Sequence, residues 1–175
     1  MGVALLSVIM LAGTLELQEI VRWQGAWWGF RWFAFLQPIA FIVYFISALA
    51  EAGRSPFDLP ETENELISGF ATEYGGMKFG LFFGAEYVHT VVLSALGATL
   101  FLGGWQGPFV NLLPWLGPVY LFAKIAFMVF VIIWVRASIP RVRFDKMMKF
   151  CWKFLIPLGL VNLVITALIV AIFAF

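Results

Sequence analysis

One cysteine and one histidine are all that the 175 residues carry. No internal disulfide can form. The pair cannot build a metal site either, so no iron–sulfur cluster is ligated by this chain alone. Charge is scarce too: Asp, Glu, Lys and Arg make up 12% of the sequence, about half the share of a soluble domain. That excludes an ordinary globular domain and a disordered one. The net charge of +1 gives no reason to expect nucleic acid as a partner. The sequence has no CxxC pair, no glycine-rich phosphate loop, no internal repeat, no low-complexity tract and no linker that would divide it into domains.

What is abundant is apolar: 63% of residues are hydrophobic and 18% aromatic. Five apolar stretches run over Val3–Leu15, Phe33–Ala50, Phe79–Gly104, Leu112–Val135 and Phe154–Phe175. Spanning the hydrocarbon core takes roughly 20 helical residues at about 1.5 Å each. The last four stretches meet that requirement with some tilt and with flanking Trp and Tyr. The first offers 13 residues before the charges of "LELQEIVR" and lacks the basic start of a signal peptide. It is expected to be a truncated span, with more chain before Met1. The expected fold is an all-α multi-pass transmembrane protein of about five helices. Residues 1–175 form one membrane domain, with a structured acidic loop at 51–78.

Orientation follows from the basic residues. Arg136, Arg141, Arg143, Lys146, Lys149 and Lys153 crowd the link between the fourth and fifth stretches, against one Asp145. That link, 136–153, is expected on the cytoplasmic or matrix side of a bacterial or organellar inner membrane. The link "GWQGPFVNLLPW" is uncharged and suits the opposite side. Two crossings separate 51–78 from 136–153, so the two loops share a face. Arg136, Arg141 and Arg143 are expected to anchor to lipid headgroups or to a hydrophilic subunit.

The loop itself is out of character with its surroundings. "EAGRSPFDLPETENELISGFATEYGG" holds Glu51, Asp58, Glu61, Glu63, Glu65 and Glu73, answered only by Arg54. Pro56 forces the residue before it to be extended, and Pro60 suits the first turn of a helix at "ETENELISGF". Glu61 and Glu65 are i,i+4 and share a face. A solvated acidic loop with capping carboxylates is one reading. Against it, "PFDLP" and "ISGFATEY" are apolar. Carboxylates crowded beside buried aromatics resist ionising together, and such groups can trade protons near neutral pH.

"LAEAGRSPFDLPETENELISGFATEYGGMKFGLFFGAEY" closely resembles the signature of one family: the H subunit (subunit 1) of respiratory complex I, the proton-pumping NADH:quinone oxidoreductase. "FLGGW", "LFAKIAF" and "WVRASIPRVRFDKMMKFCWKFLIPL" follow in the family's order. The resemblance covers nearly the whole chain. It corresponds to the C-terminal part, a little over half, of a subunit with about eight transmembrane helices. The family's other signature, rich in Gly and Pro, is absent.

The resemblance implies a membrane subunit that helps form the chamber where quinone, a substrate, is reduced. FMN and iron–sulfur clusters are expected on partner subunits only. The expected partners are hydrophilic quinone-module subunits, antiporter-like membrane subunits and the bilayer. The resemblance also implies a carboxylate path, the E-channel, through Glu51, Asp58, Glu61, Glu63, Glu65, Glu73 and Glu86, with Arg54 as the loop arginine. Alternatives stand beside it. One is the equivalent subunit of a ferredoxin- or deazaflavin-driven complex or of a membrane-bound hydrogenase. Another is a scaffold without a direct role.

Glu86 and Lys124 lie deep in apolar stretches, where charges are rare. They are expected either on the proton path or as a structural ion pair between adjacent spans. His89, three residues from Glu86, is expected as a relay or a local hydrogen-bond partner. Phe57 and Phe70 are candidates for quinone contact, with core packing as the alternative. Cys151 is read as a filler near the interface. Glu16 and Glu19 are read as solvated.

Overall fold

The computed structural model describes residues 1–25, 31–53, 56–57, 75–108, 110, 113, 115–140 and 142–173. All regular structure among these residues is helical. In chain order the elements are α1 (Gly2–Ala12), α2 (Leu17–Gln24), α3 (Phe33–Leu36), α4 (Pro38–Glu51), α5 (Met77–Phe101), α6 (Leu116–Ser138) and α7 (Phe144–Phe150). A π-helical turn (Cys151–Leu155) and α8 (Ile156–Phe173) complete the chain.

Helix forms at each of the five apolar stretches, but their lengths differ. Three runs are long and apolar enough to cross a membrane: Met77–Phe101, Leu116–Ser138 and Phe144–Ile172. α1 and α2 reach that length only as a pair bent by 66°. α4 has 14 residues, about 21 Å of helix, and falls short of the ~30 Å core by itself.

Local chemistry sets the breaks. Gly13 takes φ 72°, which suits glycine, and its N–H closes α1 on Ile9 O at 2.8 Å. α3 stops at Gln37 (φ −132°, ψ 67°) because the following Pro38 disfavours helical backbone before it. Pro38 then opens α4 at a position where its missing N–H has no helical partner to lose.

The last helix begins earlier than its apolar stretch. Residues 144–153, expected in a loop from their charge, are helical, since Lys and Asp do not break a helix. Pro157 cannot donate to Lys153 O and would crowd it. The turn just upstream widens, and the Ile156 N–H bonds to Cys151 O, five residues back.

Small residues let the helices close. α1 packs on α8 and α4, and α5 pairs with α6. Gly159 of α8 faces Val3 and Val43 at 3.4 and 3.7 Å, measured from where a Cβ would stand. The core runs from Ala4 and Val8 through Phe33, Ala40, Val43, Tyr44 and Ala48 to Leu93, Leu100 and Phe101. On α6 the buried positions Gly117, Lys124, Met128 and Ile132 make a single stripe. The outer helix faces, with Phe122, Phe130, Ile133, Leu160 and Val164 among them, are exposed and apolar, as lipid contact requires.

Candidate functional site

The described start of the acidic link, Pro56 and Phe57, touches the basic link and α6. α4 ends at Glu51, which is exposed, and the chain turns at Gly53 (φ 60°). Four residues after that turn Phe57 is buried against Leu49 of α4 and Ile132 of α6, with Val135 and Met147 packed around them. Pro56 O accepts a hydrogen bond from Val142 N–H at 2.9 Å. The start of the acidic segment is thus fastened to the basic segment. Phe57, a candidate quinone contact, has the core-packing role in this structure. Arg54, Asp58, Glu61, Glu63, Glu65, Phe70 and Glu73 lie outside the described residues, as do Pro60 and Arg141.

α5 carries the next carboxylate. Glu86 is half-buried, nine residues beyond Met77 and so about 13 Å along the helix from it. Thr90 and Ser94 follow at i+4 and i+8, on the same side. Thr90 Oγ1 donates to Glu86 O at 3.0 Å and Ser94 Oγ to Thr90 O at 2.8 Å. Tyr44, wholly buried, donates its hydroxyl to Leu93 O at 2.8 Å. The hydroxyls of Thr90, Ser94 and Tyr44 thus lie beyond Glu86, each donating to a backbone carbonyl of α5. His89 is exposed on the same helix.

Lys124 belongs to the other end of the bundle. α5 ends at Phe101, and Gly103 and Gly104 (φ 78° and 50°) reverse the chain. Both must be small as well as left-handed: a Cβ on Gly103 would stand 3.1 Å from Trp32 Cδ1, and one on Gly104 3.0 Å from Val21 Cγ2. The reversed carbonyls face α6. Lys124 Nζ donates to Gly104 O at 3.0 Å and to Gln106 O, and lies 5.0 Å from the Trp32 ring centre. Glu86 sits fifteen residues before Phe101, about 22 Å of helix away from this turn. The expected Glu86–Lys124 pairing is therefore corrected. The two share adjacent helices but not a level, because the lysine stem reaches toward the turn after α5.

Several buried polar side chains went unnoticed in the sequence, Gln24, Gln37 and Tyr44 among them. Gln24 Nε2 donates to Leu100 O at 3.1 Å, and its Oε1 accepts from Phe33 N–H at 3.3 Å, joining α2, α3 and α5. Gln37 Nε2, at the α3–α4 break, donates to Thr166 Oγ1 on α8 at 3.1 Å. For Gln37 and Tyr44 the available signal was an uncharged polar residue inside an apolar run, which in lipid must find an internal partner; Gln24, in the charged α2, gave no such signal. Among the described residues, no three His, Cys, Asp or Glu side chains gather as metal ligands.

Fold and site together define a class: a polytopic α-helical membrane protein with a half-buried carboxylate within an apolar helix long enough to cross a membrane. Within that class the family is shown by sequence. The profile of the NADH dehydrogenase family matches residues 1–167, and the chain belongs to that family. It is 49% identical over 167 residues to the H subunit of the NADH-quinone oxidoreductase of Protochlamydia amoebophila, covering 95% of this chain and 49% of the relative. The corresponding H subunit of Dehalococcoides mccartyi (strain CBDB1) is 52% identical over 165 residues, 94% of this chain and 44% of the relative. The first of the numbered H subunits of Geobacter sulfurreducens is 49% identical over 173 residues, 98% and 47%. The chain spans about half the length of the curated relatives it matches.

Proposed function

We propose that the chain forms part of the membrane arm of a proton-translocating NADH:quinone oxidoreductase. It walls part of the quinone chamber and begins the carboxylate path that leads from the chamber into the bilayer. The observation that carries this reading is the family membership. The geometry is compatible with it: the acidic segment leaves α4 at Glu51 and returns at α5, which bears Glu86.

Quinone is the substrate. FMN and the iron–sulfur clusters belong to hydrophilic partner subunits, and antiporter-like membrane subunits receive the coupling. The shared face of 51–78 and 136–153 is the cytoplasmic or matrix side, by the excess of Lys and Arg in the second. Arg54, Asp58, Glu61, Glu63, Glu65 and Glu73 line the chamber, with Glu51 beside them and Phe70 against the quinone. Adding electrons to a quinone makes it a proton acceptor. That charge change alters the proton affinity of carboxylates within a few ångströms. Glu86, within the span, takes up the change next. Lys124 is left out of the path, for its ammonium is held at the far end of α5. Phe57 serves by fastening the segment to α4 and α6.

The test uses the assembled oxidoreductase. Arg54→Ala is expected to lower quinone reduction roughly tenfold or more while NADH oxidation with an artificial acceptor stays normal, since a guanidinium among carboxylates fixes their geometry and charge. Glu86→Gln is expected to reduce protons pumped per electron. Normal quinone reduction in the first variant and a normal pumping ratio in the second, in fully assembled complexes, would overturn the proposal.

A further inference from the structure

Lys124 lines a cavity of about 430 Å³ between the turn after α5 and the outer half of α6. Trp32, Leu102, Tyr120, Ala123 and Phe127 supply most of the wall, and it is almost wholly apolar. Ala123 and Phe127 are exposed on the outer face of α6, so the cavity opens on the side of the helix bundle. Trp115, 88% exposed, stands at the start of the same helix, where an interfacial aromatic is expected.

The lysine is the unusual member of this wall. It is 9% exposed, lies within a membrane span, and has no carboxylate partner among the described residues. Two carbonyls and an aromatic face lessen the cost of burying it, but they do not neutralise it. An ammonium has three hydrogens, and the two carbonyls take two of them. A cation with one donor to spare, on the wall of an apolar cavity that opens sideways at the aromatic level, matches one kind of molecule. It must carry a negative oxygen at one end and a hydrocarbon body behind it.

We propose that this cavity binds an anionic phospholipid from the leaflet opposite the acidic segment. A phosphate oxygen accepts the remaining Lys124 hydrogen, and an acyl chain lies along Tyr120, Ala123 and Phe127. The lipid supplies a counter-charge that no described residue offers there, and it braces the Gly103–Gly107 turn that Lys124 holds. This site is separate from the chamber face and does not depend on the quinone reading.

Photo-crosslinking of the assembled oxidoreductase tests the proposal, with diazirine-labelled phosphatidylglycerol as the probe and labelled phosphatidylcholine as the neutral control. Phosphatidylglycerol adducts are expected within residues 120–127, with phosphatidylcholine labelling them less. Lys124→Met is expected to cut the phosphatidylglycerol adducts at least about fivefold, the effect of one basic residue beside an anionic lipid, and Lys124→Arg to retain them. Ala123→Trp fills the cavity but keeps the lysine and the turn, and is expected to remove the adducts; it carries the test if Lys124→Met does not assemble. Competition by inorganic phosphate is expected to be weak. Equal labelling by the two lipids, or undiminished adducts in Ala123→Trp, overturns the proposal. Full displacement by inorganic phosphate also overturns it, since the hydrocarbon body would then contribute nothing.

Discussion

At the scale of single residues, the contact between α4 and α5 turns on one tyrosine and one glycine. Tyr44 is wholly buried, and its hydroxyl is fixed on Leu93 O. Its ring fills the space that a side chain at Gly97 would occupy: a Cβ there would stand 2.9 Å from Tyr44 Cε1 and 3.0 Å from Met128 Cε. The methionine end can swing aside, but the tethered ring cannot. Gly97→Ala is therefore expected to destabilise the subunit by about 1–3 kcal/mol, the usual cost of overpacking. A lowered thermal dissociation midpoint of the purified complex checks this; an unchanged midpoint means that the two helices can slide. Lys124 teaches a related lesson at this scale. Its depth in the sequence suggested a partner on the adjacent span within reach of a flexible stem, yet that four-carbon stem carried the charge to the turn after α5.

Between elements, buried polar residues add hydrogen bonds across helices that already pack through the apolar core. Gln37 sits at the break between α3 and α4 and bonds to Thr166 of α8, and also, at a long 3.5 Å, to Ser7 O of α1. Its Oε1 has no partner among the described residues. Removing one side of such a pair strands the other, while removing both with apolar groups of similar shape can be nearly neutral. Thr166→Val alone is expected to cost about 1–2 kcal/mol, and Gln37→Leu with Thr166→Val less than that single change. A double-mutant cycle on complex stability reads the difference, and simple additivity would mean that the two side chains do not act as a pair.

The tether on the charged face makes a second case. Phe57 holds Pro56 where its carbonyl meets Val142 N–H. Phe57→Ala leaves a cavity worth about 3–5 kcal/mol locally. Hydrogen exchange at the Val142 amide is expected to accelerate by tenfold or more, with the amides of α6 around Met128 unchanged. If Val142 exchanges at its former rate, the acidic segment is held by something other than Phe57.

For the whole molecule, the arrangement of faces is the testable claim. Antiparallel α5 and α6 put the turn at Gly103–Gly107 on one side, and the Pro56–Val142 contact joins both charged segments on the other. In a Cys151→Ser background, cysteines placed at Thr62 and at Lys149 are expected to react with a membrane-impermeant maleimide from the same side. One at Trp115 is expected to react from the opposite side. Labelling of Thr62 and Lys149 from different sides would break both the topology and the chamber reading.

The sequence by itself determined the class and the family. Apolar run lengths demand helices in lipid, because no other element satisfies its own backbone there without closing into a barrel. Long motifs such as "PFDLPE" and "GMKF" carried the resemblance, and the family match bears it out. Counting crossings led to the expectation that 51–78 and 136–153 share one face; of the residues the structure describes, Pro56 and Val142 are joined by a hydrogen bond. Run lengths could not show where each helix breaks, because hydropathy is blind to backbone: Pro38 splits one apolar run, and Pro157 widens another. Nor could they show which polar atoms meet. Gln37 and Thr166 are separated by 129 residues, and Lys124 lies 20 residues past Gly104. A buried polar group takes whichever partner packing brings within about 3 Å, and only the packed helices decide which one that is.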